Sequence, residues 1–196
     1  MLPTKPNVRP MTVLTWGILL LAPLILAACS GGATLPHHYV YEGYRPIYLN
    51  YAAGRGGMPT EVVGNPFETP KPQFDAQVAE ILENHHFGPE LPFLTETPEG
   101  FSSVYHVVVV FDPPIGTAPS RICADPNVQA APRPGEVGVL AAFCQNDRRI
   151  TSAGGHVAGA ENPDDPRFQA LMRQVATLLF PPRSPDINDP NVIRVN

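Results

Sequence analysis

Two stretches repeat apolar residues at the spacing of one helix face. In residues 72–86 the stripe is Phe74, Val78, Ile81 and Leu82. Prolines at 70 and 72 suit its start, and Gly88-Pro89 stops it. The second stripe is Phe168, Leu171, Met172, Val175, Leu178 and Leu179. Asp164 or Asp165 caps that helix, Pro166 fits its first turn, and Pro181-Pro182 ends it. Other stretches read as strands. Glu61-Val62-Val63-Gly64 is a short one, ended by Asn65-Pro66. Residues 103–112 are apolar on both faces except at His106, which predicts a central strand covered on both sides. Residues 136–144 and 149–152 form a hairpin around the polar turn 145–148, with Gly154-Gly155 ending regular pairing.

The expected order is therefore β-α-β-β-β-α. It predicts an α+β fold: a two-layer, mostly antiparallel sheet of three to four strands with two amphipathic helices. Residues 60–182 hold this domain. Residues 183–196, rich in Pro, Asn and Asp, read as a flexible tail.

The start of the chain follows a different pattern. Residues 1–28 have the plan of a secretory signal peptide: Lys5 and Arg9, no acid, then an uncharged apolar run over 11–26. That run is too short for a spanning helix, which needs about 20 residues, and Pro23 interrupts it. Leu26-Ala27-Ala28-Cys29 resembles the lipobox of bacterial lipoproteins. The resemblance implies diacylglycerol on the Cys29 sulfur, cleavage before that residue, and acylation of the new amino group. Several acyl chains anchor stably where one does not. Ser30, rather than Asp, looks like the outer-membrane choice, with the domain facing the periplasm. An ordinary cleaved signal followed by a chance cysteine is the competing reading.

Residues 29–59 read as a tether and a Tyr-rich lead-in. Tyr39, Tyr41, Tyr44, Tyr48 and Tyr51 fall within thirteen residues. They either pack on the domain's own surface or mark a contact with an envelope partner, since Tyr is enriched at interfaces.

Cysteine count adds one expectation. Three cysteines are an odd number for an exported chain. Lipid on Cys29 leaves Cys123 and Cys144 to form a disulfide, or to lie buried as free thiols. Composition changes less. The chain is 43% hydrophobic and 16% charged, and Pro and Gly make up about a fifth of it, which fits a folded core with Pro-rich joints. Loss of Lys5 and Arg9 with the leader moves the net charge from −5 to about −7. No basic stripe is present, so nucleic acid is excluded as the expected partner. Membrane attachment then has to come from the lipid on Cys29.

Catalytic and metal signals are weak. His37-His38 and His85-His86 suggest metal or small-ligand binding, but adjacent helical residues point about 100° apart, and no H-E-x-x-H spacing occurs. His85 and His86 also suit the negative end of a helix dipole. His106 and Asp112, with a loop residue, are the set an envelope hydrolase would use. No Gly-x-Ser-x-Gly, Cys-x-x-Cys or phosphate loop is present. No cofactor and no catalytic residue is expected, and a non-enzymatic, partner-binding domain is the preferred reading.

Residues 62–67 (Val-Val-Gly-Asn-Pro-Phe), the strand end Val110-Phe111-Asp112-Pro113, Ala142-Phe143-Cys144 and Asp164-Asp165-Pro166-Arg167-Phe168 resemble small uncharacterised proteobacterial lipoproteins. That resemblance implies the fold and the address and carries over no catalytic residue.

Overall fold

The computed structural model describes residues 32–185. The leader, Cys29 and most of the tail lie outside the described residues.

The two helices expected from periodicity are present, and so are the central strand and the hairpin. The sheet they join is larger than expected. In chain order the elements are β1 (Thr34–Val40), α1 (Ile47–Gly54), β2 (Met58–Val63), α2 (Lys71–His85), β3 (Phe93–Leu94), β4 (Tyr105–Phe111), β5 (Glu136–Gln145), β6 (Arg148–Ala158) and α3 (Pro166–Leu179). All six strands form one sheet in the order β1-β6-β5-β4-β2-β3. β1, β6, β5 and β4 pair antiparallel, while β2 lies parallel to both β4 and β3.

Among the described residues, the expected three-to-four-stranded, mostly antiparallel sheet with two helices is thus corrected to a six-stranded mixed sheet with three. The parallel half has a clear cause. α2 returns the chain to the end where β2 began, so the next long strand must run alongside β2 in the same direction. Within the Tyr-rich lead-in, residues 34–54 supply an edge strand and a helix. Nor does Gly154-Gly155 end β6. Gly154 pairs with Leu140 on one side and His37 on the other. A Cβ on Gly155 would run into the Thr34 carbonyl and the Leu35 side chain, so the missing side chain lets β1 approach.

The sheet buries both faces of its centre. Val107, Val109 and Phe111 of β4 meet Ala141 and Phe143 of β5 on one face, under the apolar stripes of α2 and α3. Val108, Val110, Leu140 and Ala142 face the other way, beneath Ile122 and Cys123 of the long loop after β4. This is the covered central strand expected from the run of valines. The Cys123–Cys144 disulfide is present, with the two Cα atoms 5.7 Å apart, and it ties the covering loop to β5.

α3 starts where its capping signals stand. The Asp165 side chain accepts a hydrogen bond from the Arg167 backbone N–H, and Pro166 occupies the first turn. The Arg167 guanidinium donates back to the same carboxylate. These bonds hold the Asp165 carboxyl below its usual range, at about 2. Asp165→Ala should therefore lower stability by about 1 kcal/mol near neutral pH. Because the folded state holds the carboxyl ionised, its contribution is full above the usual value of about 3.8. It fades as pH falls towards about 2. Solvent screening keeps the pH-dependent part small. Denaturant melts of the native and Asp165→Ala chains should differ by about 1 kcal/mol at pH 7 and by less at pH 2.

Candidate functional site

β1 ends against the hairpin turn between β5 and β6, and this end of the sheet collects most of the tyrosines. Tyr39 pairs with Ser152, and Arg149 lies 3.8 Å over its ring. Arg148 lies 4.2 Å over the ring of Tyr41. Such cation–π contacts hold long arginine side chains against the sheet end.

After Tyr41 the chain turns into α1. Tyr44 is fully buried and its hydroxyl donates to the Pro181 carbonyl at 2.8 Å, which locks the lead-in to the segment after α3. Burial pushes its phenol well above the usual range. Tyr44 is therefore a core residue and is corrected as a contact candidate. The Tyr48 hydroxyl donates to Gly43 O, and its ring stacks on Tyr105 at 5.0 Å. Tyr51 meets Tyr105 edge-on at 5.5 Å. Burial, and then the two neighbouring tyrosines, push the Tyr105 phenol upwards.

Ile47 and Tyr51 sit one turn apart on α1 and so share a face. They are 61% and 47% exposed, and Val104, next to Tyr105, is 38% exposed. Ile47 precedes Tyr48 in the chain, Val104 precedes Tyr105, and Tyr51 lies edge-on to Tyr105, so the exposed apolar and aromatic residues here adjoin the stacked Tyr48–Tyr105 pair. Ile47, Val104 and Tyr105 were missed from sequence. The spacing of Ile47 and Tyr51 was the available signal, but it marks a site only once residues 47–54 are read as helix.

The histidine pairs do not converge. His37 and His38 point to opposite faces of β1: His37 contacts Ser152 Oγ at 2.8 Å, and His38 contacts Leu178 O at 3.2 Å. His85 and His86 turn back onto the carbonyls of Ile81 and Leu82 at the end of α2. They satisfy acceptors that a helix end leaves open. Among the described residues no group of three or more His, Cys, Asp or Glu side chains is placed to hold a metal ion.

His106 and Asp112 are also kept apart. They are six positions apart along one extended stretch, about 20 Å. Burial lowers the His106 imidazole, opposed by Asp147 and the Cys123 backbone. Asp112, buried with φ at +47°, accepts from Gly138 N at 2.7 Å, and its own N–H donates to Gly138 O. Burial pushes this carboxyl up, against that hydrogen bond. Asp112 pins the start of the covering loop to β5. At that separation His106 and Asp112 do not act on one another.

The opposite end of the sheet is marked by Thr34 against His156 and Glu136 against Ala158. There, a groove of about 310 Å³ has Gly138 and Gly154 in its floor, His37 and His156 on one side, and the loop around Ile115 on the other. The ten residues of β5 set the two ends about 30 Å apart.

No protein-family model matches the chain, and no curated protein matches it. Among solved structures, a point variant of the PelC dodecamer from Paraburkholderia phytofirmans is similar over 76% of this chain and 99% of that one, at 13% identity and a TM-score of 0.40. A likeness at that level assigns neither fold nor function.

Proposed function

We propose that the chain is an exported lipoprotein of the cell envelope, cut before Cys29 and held to the outer membrane by lipid on that residue. Its folded domain acts by binding an envelope protein in the periplasm and not by catalysis. The observation that carries the binding role is the exposure of Tyr51, edge-on to Tyr105, together with that of Ile47 and Val104. Aromatic side chains on rigid backbone give contact area at little entropic cost, and they are enriched where proteins meet. The anchor rests on the lipobox-like Leu26-Ala27-Ala28-Cys29. No helix among the described residues is long and apolar enough to cross a membrane.

A photo-crosslinking residue at Tyr51 in intact cells tests both parts. One discrete protein adduct is expected, and it should disappear when Ile47 is also changed to Asp. Cys29→Ser should leave the leader uncut or release the chain from the membrane fraction. Only lipid and solvent adducts at Tyr51, or a Cys29→Ser chain that is still processed and membrane-bound, would refute the corresponding part.

A further inference from the structure

We infer that the loop over residues 113–119 is a membrane-contacting finger that places Ile115 in the lipid interface beside the anchored terminus. The inference deepens the lipoprotein reading and rests on it.

Chain length supplies the first reason. Five peptide steps separate Cys29 from Thr34, where β1 begins. At no more than about 3.6 Å per residue they reach about 18 Å. Lipid on Cys29 therefore keeps Thr34 within about 18 Å of the anchor, whereas the tyrosine-rich end of the sheet can lie about 30 Å further off. Thr34 pairs with His156, and His156, Pro36 and Ile115 line one groove. The Ile115 loop thus stands at the end nearer the anchor.

The build of the loop is the second reason. Thr117 N donates to Pro114 O at 3.1 Å, and Gly116 has φ at +84°, so Ile115 and Gly116 are the middle of a type II turn. Ile115 stands at its tip and is 91% exposed, the most exposed large apolar residue described. The segment is held at both ends, by the Asp112–Gly138 hydrogen bonds and by the Cys123–Cys144 bridge. An apolar residue fixed in water on a stiff turn needs an explanation that a floppy loop would not.

Desolvation is the third. Residues 113–120 carry no charge. Pro113, Pro114 and Pro119 have no N–H, and the Thr117 N–H and hydroxyl both donate to Pro114 O. The backbone N–H groups of Ile115, Gly116 and Ala118 stay open, and because open backbone donors are what the hydrocarbon core penalises most, the finger reaches the headgroup interface and not the core. A protein partner fits less well. A stable interface covers roughly 800 Å² per partner, and one projecting isoleucine supplies a small part of that. The finger therefore sets orientation, while the acyl chains supply the anchorage.

Tryptophan fluorescence gives the test. The only tryptophan, Trp16, lies in the leader, so the mature chain has no background signal. Full-length Ile115→Trp, purified in its lipidated form, is placed in phosphatidylethanolamine–phosphatidylglycerol vesicles with or without bromine on the acyl chains. Asp147→Trp, at the exposed hairpin turn, reports on the other end. The expected result is a blue-shifted emission from Ile115→Trp that loses most of its intensity in brominated vesicles, with Asp147→Trp unquenched. On a chain whose mass shows the lipid and whose melt matches the native protein, no quenching at position 115 overturns the finger alone. A blue shift without quenching does so too, because a second copy has then covered the loop. A mature mass without lipid overturns the anchor, and the finger with it.

Discussion

Phe168→Ala is expected to lower the stability of the domain by about 3–5 kcal/mol. Phe168 is fully buried, and its ring lies 5.1 Å from Phe67, 6.1 Å from Phe74 and 5.9 Å from Phe111. Those partners come from the turn after β2, from α2 and from β4. The void left by alanine is therefore walled by separate elements, none of which can move in without breaking its own packing, and that is the condition under which cavity terms are large. Domains of this size are stable by only about 5–15 kcal/mol, so the change consumes a large fraction of the margin. Guanidinium melts should show a lower midpoint with an unchanged slope. A loss below about 1 kcal/mol would mean that the helices collapse onto the gap, and that Phe168 does not join α3 to the sheet as described.

Phe168 also shows what the sequence makes legible. It heads a stripe of period 3.6, preceded by an acid and a proline, and the helix begins at those residues. The valines of β4 read equally well, because a strand buried on both faces needs no alternation. Three elements escaped for three physical reasons. β1 is an edge strand containing Pro36 and two histidines, and edges tolerate proline and polar residues that a central strand would not. α1 has eight residues, too few for a periodic stripe to stand out. β3 has two residues and exists only because β2 offers it a partner. The parallel pairing of β2 with β4 was hidden because it depends on where α2 returns the chain. Neither strand's own residues record that.

The candidate site was half legible for a similar reason. A tyrosine count finds a segment but does not sort its members. Tyr44 is core, Tyr48 is part of a stack, and Tyr51 is surface. What sorts them is the turn from β1 into α1, which points Tyr44 under the helix and Tyr51 out. Asp112 and His106 mislead in the opposite way. Nearness in sequence suggests cooperation, but an extended strand converts six residues into about 20 Å.

Changing both Cys123 and Cys144 to Ser is expected to cost about 3 kcal/mol, the value for closing a loop of this length in the unfolded chain. The loss should show in thermal melts of the oxidised native chain against the variant. Reductant should lower the native melt to about the variant's and leave the variant itself unchanged. Coincident melts without reductant would show that the bridge contributes nothing to stability. The effect should extend beyond stability. Ile122 and Cys123 are the lid over Val108, Val110, Leu140 and Ala142, so a loosened loop uncovers the smaller core. The same loop carries Ile115 at its turn, eight residues before the bridge. Asp112 would then hold it at one end only. The quenching of Ile115→Trp by brominated lipid should therefore weaken on reduction under conditions where the domain remains folded, because a turn fixed at one end no longer holds its tip against the bilayer.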